Sequence, residues 1–180
     1  MPHDVRITIS CPDKVGLLAA ISARLFDLGG NLGDTSFAVL GESAEFTGVC
    51  ELPDAISAGE TQALLEGQPE LADARIAVTP FELPPVHGPR GHATHMVEVG
   101  GADRPGLIAR LSEAFAEYDA NIVRMDSERT GTAGDYLVRF AVCIPVDRTA
   151  ACLATITNTA QSLGLACDHK ALPESDHTGA

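Results

Sequence analysis

The feature that most constrains this chain is a repeat. Asp13-Lys14-Val15-Gly16-Leu17 returns as Asp103-Arg104-Pro105-Gly106-Leu107, at a spacing of 90 residues. At the same spacing Ile21 meets Leu111, Asn31 meets Asn121 and Leu32 meets Ile122. Leu52-Pro53 meets Ile144-Pro145 at a spacing of 92, so the second copy has gained two residues before that point. Two copies are too few to stack as a solenoid. They predict two small domains, and 180 residues leave each copy enough chain for a core of its own.

Each copy reads as the same series of elements. Val5, Ile7 and Ile9 alternate with polar neighbours, the period of a half-buried strand. Met96-Val97-Glu98-Val99 takes that place in the second copy. After the shared turn, Leu17, Leu18, Ile21, Leu25 and Leu28 recur at helical spacing, as do Leu107, Ile108, Leu111, Phe115 and Tyr118. Gly29-Gly30 marks the first helix stop. A hairpin follows in each copy. Leu32 to Leu40 turns through Gly41-Glu42-Ser43 and returns on Phe46, Gly48, Cys50 and Leu52. Ile122 to Glu128 turns through Thr130-Gly131-Thr132-Ala133-Gly134 and returns on Val138, Phe140, Val142 and Ile144, and Pro53 and Pro145 stop the return strands. Ser57-x-x-Glu60 has the form of a capping box opening a second helix, with Leu64-Leu65 as its apolar contact and Gly67 and Pro69 keeping it short. Its counterpart carries the stripe Leu153, Ile156, Ala160 and Leu163, with Gly164 at the helix end. Ala74 to Thr79 and Leu165 to Asp168 complete the copies as strands.

The order in each copy is β-α-β-β-α-β, the ferredoxin-like arrangement. It predicts an α+β protein of two domains, each a four-stranded antiparallel sheet with two helices on one face. The expected boundaries are residues 1–80 and 93–172, joined by a Pro/Gly-rich linker over 81–92 and followed by a disordered tail over 173–180.

Charge and composition narrow the function. The formal net charge is -13, from 12 basic and 25 acidic residues. Nucleic acid and anionic membranes are held through clustered Lys and Arg, so direct binding to either is not expected, and a protein partner stays open. Trp is absent and aromatics are 4%, which leaves few stacking platforms. No stretch approaches a membrane span, and Met1-Pro2-His3-Asp4 has no basic export region. The five cysteines, at 11, 50, 143, 152 and 167, form no close pair. They are expected as reduced thiols in a cytoplasmic protein, with Cys50 and Cys143 as small core residues. Cys11 has two readings, a reactive thiol or a buried bystander. His87, His92 and His95 read as linker histidines, because their spacing suits no metal site. No nucleophile elbow, phosphate loop or dinucleotide fingerprint is present. No cofactor, metal or catalytic residue is expected.

The repeated turn is the candidate site. Asp13 and Asp103 stand where a helix cap is expected, and Gly16 and Gly106 keep side chains out of the first turn. Free N–H groups there, at the positive end of a helix, suit a small anion such as a carboxylate. Asn31 and Asn121 follow each helix and offer both a donor and an acceptor. The same residues also serve turns that bind nothing, so both readings stand.

Strand, Asp-[Lys/Arg]-x-Gly-Leu-[Leu/Ile], amphipathic helix and then Gly30-Asn31 or Ala120-Asn121 resembles the ACT domain, twice, over about residues 4–80 and 93–170. The resemblance implies regulatory modules that bind amino acids between two modules whose sheets join side by side. It implies a ligand carboxylate at the backbone of Asp13, Val15, Gly16 and Leu17 or of Asp103, Pro105, Gly106 and Leu107. It also implies polar contacts from Asp13, Asp103, Asn31 and Asn121 to the α-amino group. Two such domains in one chain are similar to the glycine cleavage system transcriptional repressor family. That likeness implies a homo-oligomeric regulator sensing a small amino acid such as glycine or serine. It would act through a protein partner such as a transcription factor, without touching DNA. Two other readings are a pure interaction module that senses nothing, and a small enzyme with its site between modules. The copies also differ, Val15 against Pro105 and Gly29-Gly30 against Asp119-Ala120, so the two sites are not expected to be equivalent.

Overall fold

The computed structural model describes residues 1–84, 88, 90–130 and 135–173. Contacts divide the chain into two compact units, Met1–Val86 and His87–Ala180. The first unit runs β1 (His3–Pro12), α1 (Leu17–Asp27), β2 (Asn31–Leu40), β3 (Ser43–Leu52), α2 (Ala58–Glu66) and β4 (Arg75–Pro80). The second runs β5 (His95–Ala102), α3 (Leu107–Glu117), β6 (Asn121–Thr130), β7 (Asp135–Cys143), α4 (Thr149–Ser162) and β8 (Ala166–Ala171). Both sheets have four strands, in the orders β2-β3-β1-β4 and β6-β7-β5-β8. All described pairings are antiparallel. This is the α+β, twice βαββαβ architecture expected from the repeat.

Period two explains the strands. Val5, Ile7, Ile9 and Cys11 on β1, and Ala44, Phe46, Cys50 and Leu52 on β3, are all buried under the helices. Leu17, Ile21 and Leu25 bring the inner face of α1 down onto them. The second unit repeats this with Val97 and Val99, with Val138, Phe140, Val142 and Ile144, and with Leu107, Leu111 and Phe115. Phe115 and Phe140 pack as a tilted pair, 58° between ring planes, with ring centres 5.4 Å apart, and truncating either buried ring to Ala costs roughly 3–5 kcal/mol. Cys143 departs from the expectation of a core thiol. Val138, Phe140 and Val142 hold the buried parity of β7, so Cys143 falls on the opposite face and is half-buried. Leu65 is fully buried, but Leu64, one residue before it on α2, is 37% exposed.

Helix ends follow local chemistry. Ser57 caps α2 through the expected box: its hydroxyl accepts from Glu60 N–H at 3.2 Å, and the Glu60 carboxylate accepts from Ser57 N–H at 2.9 Å. Gly29, at φ 75°, closes α1, with Gly30 N–H donating to Leu25 C=O at 2.9 Å. Gly164 closes α4 the same way, at φ 73°. In the second unit Asp119 holds the left-handed position at φ 54°, and its carboxylate accepts from Arg148 at 2.8 Å.

Phe81 N–H still bonds to Asp4 C=O at 2.9 Å. The last strand of each unit, β4 and β8, runs to Pro80 and Ala171, one and three residues past the expected ends. Parts of three expected segments lie outside the described residues: 85–87 and 89 of the linker, with His87, then the turn residues 131–134, and 174–180 of the tail. No helix among the described residues is long and apolar enough to cross a membrane.

Candidate functional site

The repeated motif folds into the same turn twice. Leu17 N–H donates to Lys14 C=O at 3.4 Å, and Leu107 N–H donates to Arg104 C=O at 3.1 Å. Gly16 sits at φ 91°, ψ -2° and Gly106 at φ 81°, ψ 3°. That is the third position of a type II turn, which requires positive φ. Pro105 occupies the second position, where proline is preferred, and Val15 holds it in the first unit. A methyl group added at either glycine would meet nothing within 4 Å. The glycines are there for backbone angle, not for space.

This geometry overturns the expected Asp caps. The N-cap residues are Gly16 and Gly106, and neither helix receives a side-chain cap bond. A full turn separates Asp13 and Asp103 from the helix starts, so their carboxylates stand outside the turn instead of closing it. The Asp13 N–H donates to Glu42 C=O at 2.8 Å, which ties the turn to the β2–β3 hairpin tip. The helical bonding begins with Ala20 N–H to Gly16 C=O at 2.9 Å and with Arg110 N–H to Gly106 C=O at 3.0 Å. The N–H groups of residues 18 and 19, and of 108 and 109, precede those bonds and open outward. Leu17 and Leu107 are buried, so only their backbone could meet a ligand.

Asn31 and Asn121 begin β2 and β6 as expected. They lie far from the turns. Pro12 pairs with Ser43 and Asn31 pairs with Glu51. Eight residues of β3 separate those partners, about 26 Å of strand. The second unit repeats this: Ala102 pairs with Asp135 and Asn121 with Cys143. The structure therefore brings together Asp13, Val15, Gly16 and Leu17, and likewise Asp103, Pro105, Gly106 and Leu107, but neither asparagine joins its own turn. A single module does not present its turn and its asparagine to one small molecule.

Residues 95–151 match the ACT domain family. The second module is an ACT domain. The first repeats its fold element for element, so the chain is a tandem of two ACT-type modules. An unknown protein from Galdieria sulphuraria superposes with a TM-score of 0.73 at 20% identity, over 96% of this chain and 99% of that one. A structure named as a candidate glycine cleavage system transcriptional repressor superposes at 0.62 and 14% identity, over 96% and 98% of the two chains. At these identities the likeness is one of fold. Comparison with curated proteins finds no match.

The two ACT-type modules differ in how their polar groups are engaged. Asp103 accepts from Arg129 of β6 at 3.1 Å. Asn121 donates its side-chain amide to Arg90 C=O at 2.8 Å. In the first module Val39 stands at the position of Arg129, and Asp13 forms no ion pair with a described residue. The Asn31 side chain likewise makes no hydrogen bond with one. A groove of about 500 Å³ opens beside Asn31, lined by Ala19, Ser22, Ala23, Phe26 and Gly30. Arg129 and Arg90 were not legible as partners in the sequence. The hairpin register supplies one and the path of the chain before β5 supplies the other.

Cys11 is 6% exposed, and burial pushes its thiol up. Burial and the nearby Asp4 carboxylate push Cys50 up to about 11. Thiols held protonated in this way are poor nucleophiles, which favours the bystander reading of Cys11. Among the described residues no group of three or more His, Cys, Asp or Glu is placed to hold a metal ion.

Proposed function

We propose that this chain is a regulatory protein without catalysis of its own, responsive to a small amino acid such as glycine or serine, in which the first module carries the working ligand turn. The observation that carries this reading is the contrast between Asp13, without an ion partner among the described residues, and Asp103, held by Arg129. The ligand carboxylate would meet the outward N–H groups after Gly16. Its ammonium group would meet Asp13, and an asparagine from a second module would complete the site. The 26 Å between turn and asparagine supports a site shared by two modules.

The same face supports self-association. β2 is an edge strand whose only charged residue is Asp34, whereas β6 carries Arg124, Asp126, Glu128 and Arg129. Charge on an edge strand discourages pairing with another sheet. Phe26, beside β2 on α1, is 78% exposed, and its counterpart on α3 is Ala116. The chain has a net charge of -13, and β2 carries little of it, so a second copy meets little repulsion along this edge. The opposite edge is partly closed, since Val78 N–H of β4 donates to Gln62 of α2 at 3.2 Å. Acidity argues against direct nucleic-acid binding, and the thiols Cys11, Cys50, Cys152 and Cys167 are unbridged, as in a reducing cytoplasm. A protein partner such as a transcription factor, in the regulation of glycine cleavage, is the route that fits the resemblance.

The test is thermal unfolding of the full chain against each amino acid. A ligand of the folded state adds about 2.7 kcal/mol at one hundred times its dissociation constant. Asp13→Asn and Asn31→Ala should abolish the rise, and Asp103→Asn and Asn121→Ala should leave it. If no amino acid raises the midpoint, the sensing role is wrong and the exposed edge of the first module points to a pure interaction module.

A further inference from the structure

The open face of the first sheet holds a trough that the turn does not use. Strand register sets Glu45, Ser10 and Arg75 in one row across β3, β1 and β4, and Thr47, Thr8 and Ala77 in the next. All six line a cavity of about 220 Å³. That is below the ~300 Å³ at which drug-sized sites begin, and it suits a molecule of a few heavy atoms. Ser10 and Ser43 hydroxyls both donate to Glu45 Oε1, each at 2.8 Å. They hold the carboxylate in place and keep its pKa below the usual range. Glu45 Oε2 receives no bond from a described residue. Two strand spacings away, about 10 Å at the backbone, Arg75 forms no ion pair with a described residue.

A fixed carboxylate and a guanidinium with no ion partner among the described residues, across a floor of hydroxyls, match a molecule with one charge of each sign. A simple anion would meet Glu45 and the acidic surroundings, and a simple cation would leave Arg75 unanswered. The second module has a smaller cavity on its sheet, about 90 Å³ beside Met96, Glu98, Asp168 and Lys170, but without the same charge pairing. The matching row of the second module is Leu137, Gly100 and Ala166, which carries no charge. We propose that this trough is a second small-molecule site, binding a zwitterion with its ammonium on Glu45 and its carboxylate on Arg75. It is separate from the ligand turn and stands or falls without it.

Backbone-amide correlation NMR of the full chain tests this, with glycine, β-alanine and γ-aminobutyrate as probes and acetate and ethylammonium as controls. At least one zwitterion should shift the amides of Ser10, Thr47 and Ala77 saturably, and neither control should. Glu45→Gln keeps an acceptor for both serines, so the fold should persist in its spectrum while affinity falls by about tenfold or more. Arg75→Gln should weaken binding similarly, and Arg75→Lys should restore part of it. The proposal is overturned if no probe gives saturable shifts at these amides up to about 10 mM, well into the range of millimolar affinity. Shifts there that survive both Gln variants overturn it too. Shifts confined to residues 13–19 and 31 would support the ligand turn and reject the trough, whereas shifts confined to the trough would reject the turn.

Discussion

Gly16 and Gly106 hold backbone angles that a side chain resists, so the cost of replacing them comes from conformation alone. Gly106→Ala should destabilise the protein by about 1–2 kcal/mol, read from chemical denaturation. Val15 occupies the position that Pro105 fills in the second module, and its side chain is fully exposed. Val15→Pro should therefore stabilise by about 0.4–1 kcal/mol by restricting the unfolded chain, with Pro105→Val moving the midpoint the other way. Thr61 is fully buried, and its hydroxyl has no hydrogen-bond partner among the described residues. Thr61→Val should gain about 1 kcal/mol, while Thr61→Ser, which keeps the stranded hydroxyl and loses a methyl group, should cost about as much. An unchanged midpoint in Thr61→Val would mean that the hydroxyl has a partner. The sequence announced the glycines but not their purpose. Spacing alone cannot separate an Asp cap from an Asp one turn too early, because the deciding quantity is the left-handed angle at the glycine between them.

Elements were more legible than sites. Val5, Ile7 and Ile9 sit at a spacing that admits only one buried face, and Ser57 and Glu60 form a reciprocal pair from a purely local pattern, so both could be read directly. Cys143 was misplaced because an apolar run shows that a strand is buried without showing which parity faces the core. Glu45, Ser10 and Arg75 come from three strands, and only the register places them together. The edge strands carry a prediction of their own. Phe26→Glu should convert a self-associated species into monomer in sedimentation, and Ala116→Glu at the matching site should not. The pairing of β5 with β8 carries another. His95 lies opposite Ala171, and burial, then the charge of His169, lowers its pKa below 6.5. The unfolded chain then takes up a proton first as pH falls. The stability from neutral His95 is complete above 6.5 and is lost as pH drops through the folded value. NMR titration should place the His95 midpoint below 6.5, and His169→Gln should move it up.

Each half of the whole molecule has its own apolar cluster, one drawn from residues 5–78 and the other from residues 97–165. Residues 1–86 and 87–180 should each fold when expressed alone, with cooperative melts by circular dichroism. A broad transition without a baseline in either piece would show that it depends on its neighbour. The contrast between the hairpins bears on how such a chain reaches its native state. Two similar folds on one polypeptide invite an intertwined product, in which a strand from one half completes the sheet of the other. Here β2 and β3 are joined by Gly41-Glu42, whereas four residues separate β6 from β7, and β2 carries one charged residue, Asp34, where β6 carries four. Exchanging the two outer strands would mismatch both connection length and charge, so the differences between the copies disfavour the intertwined product.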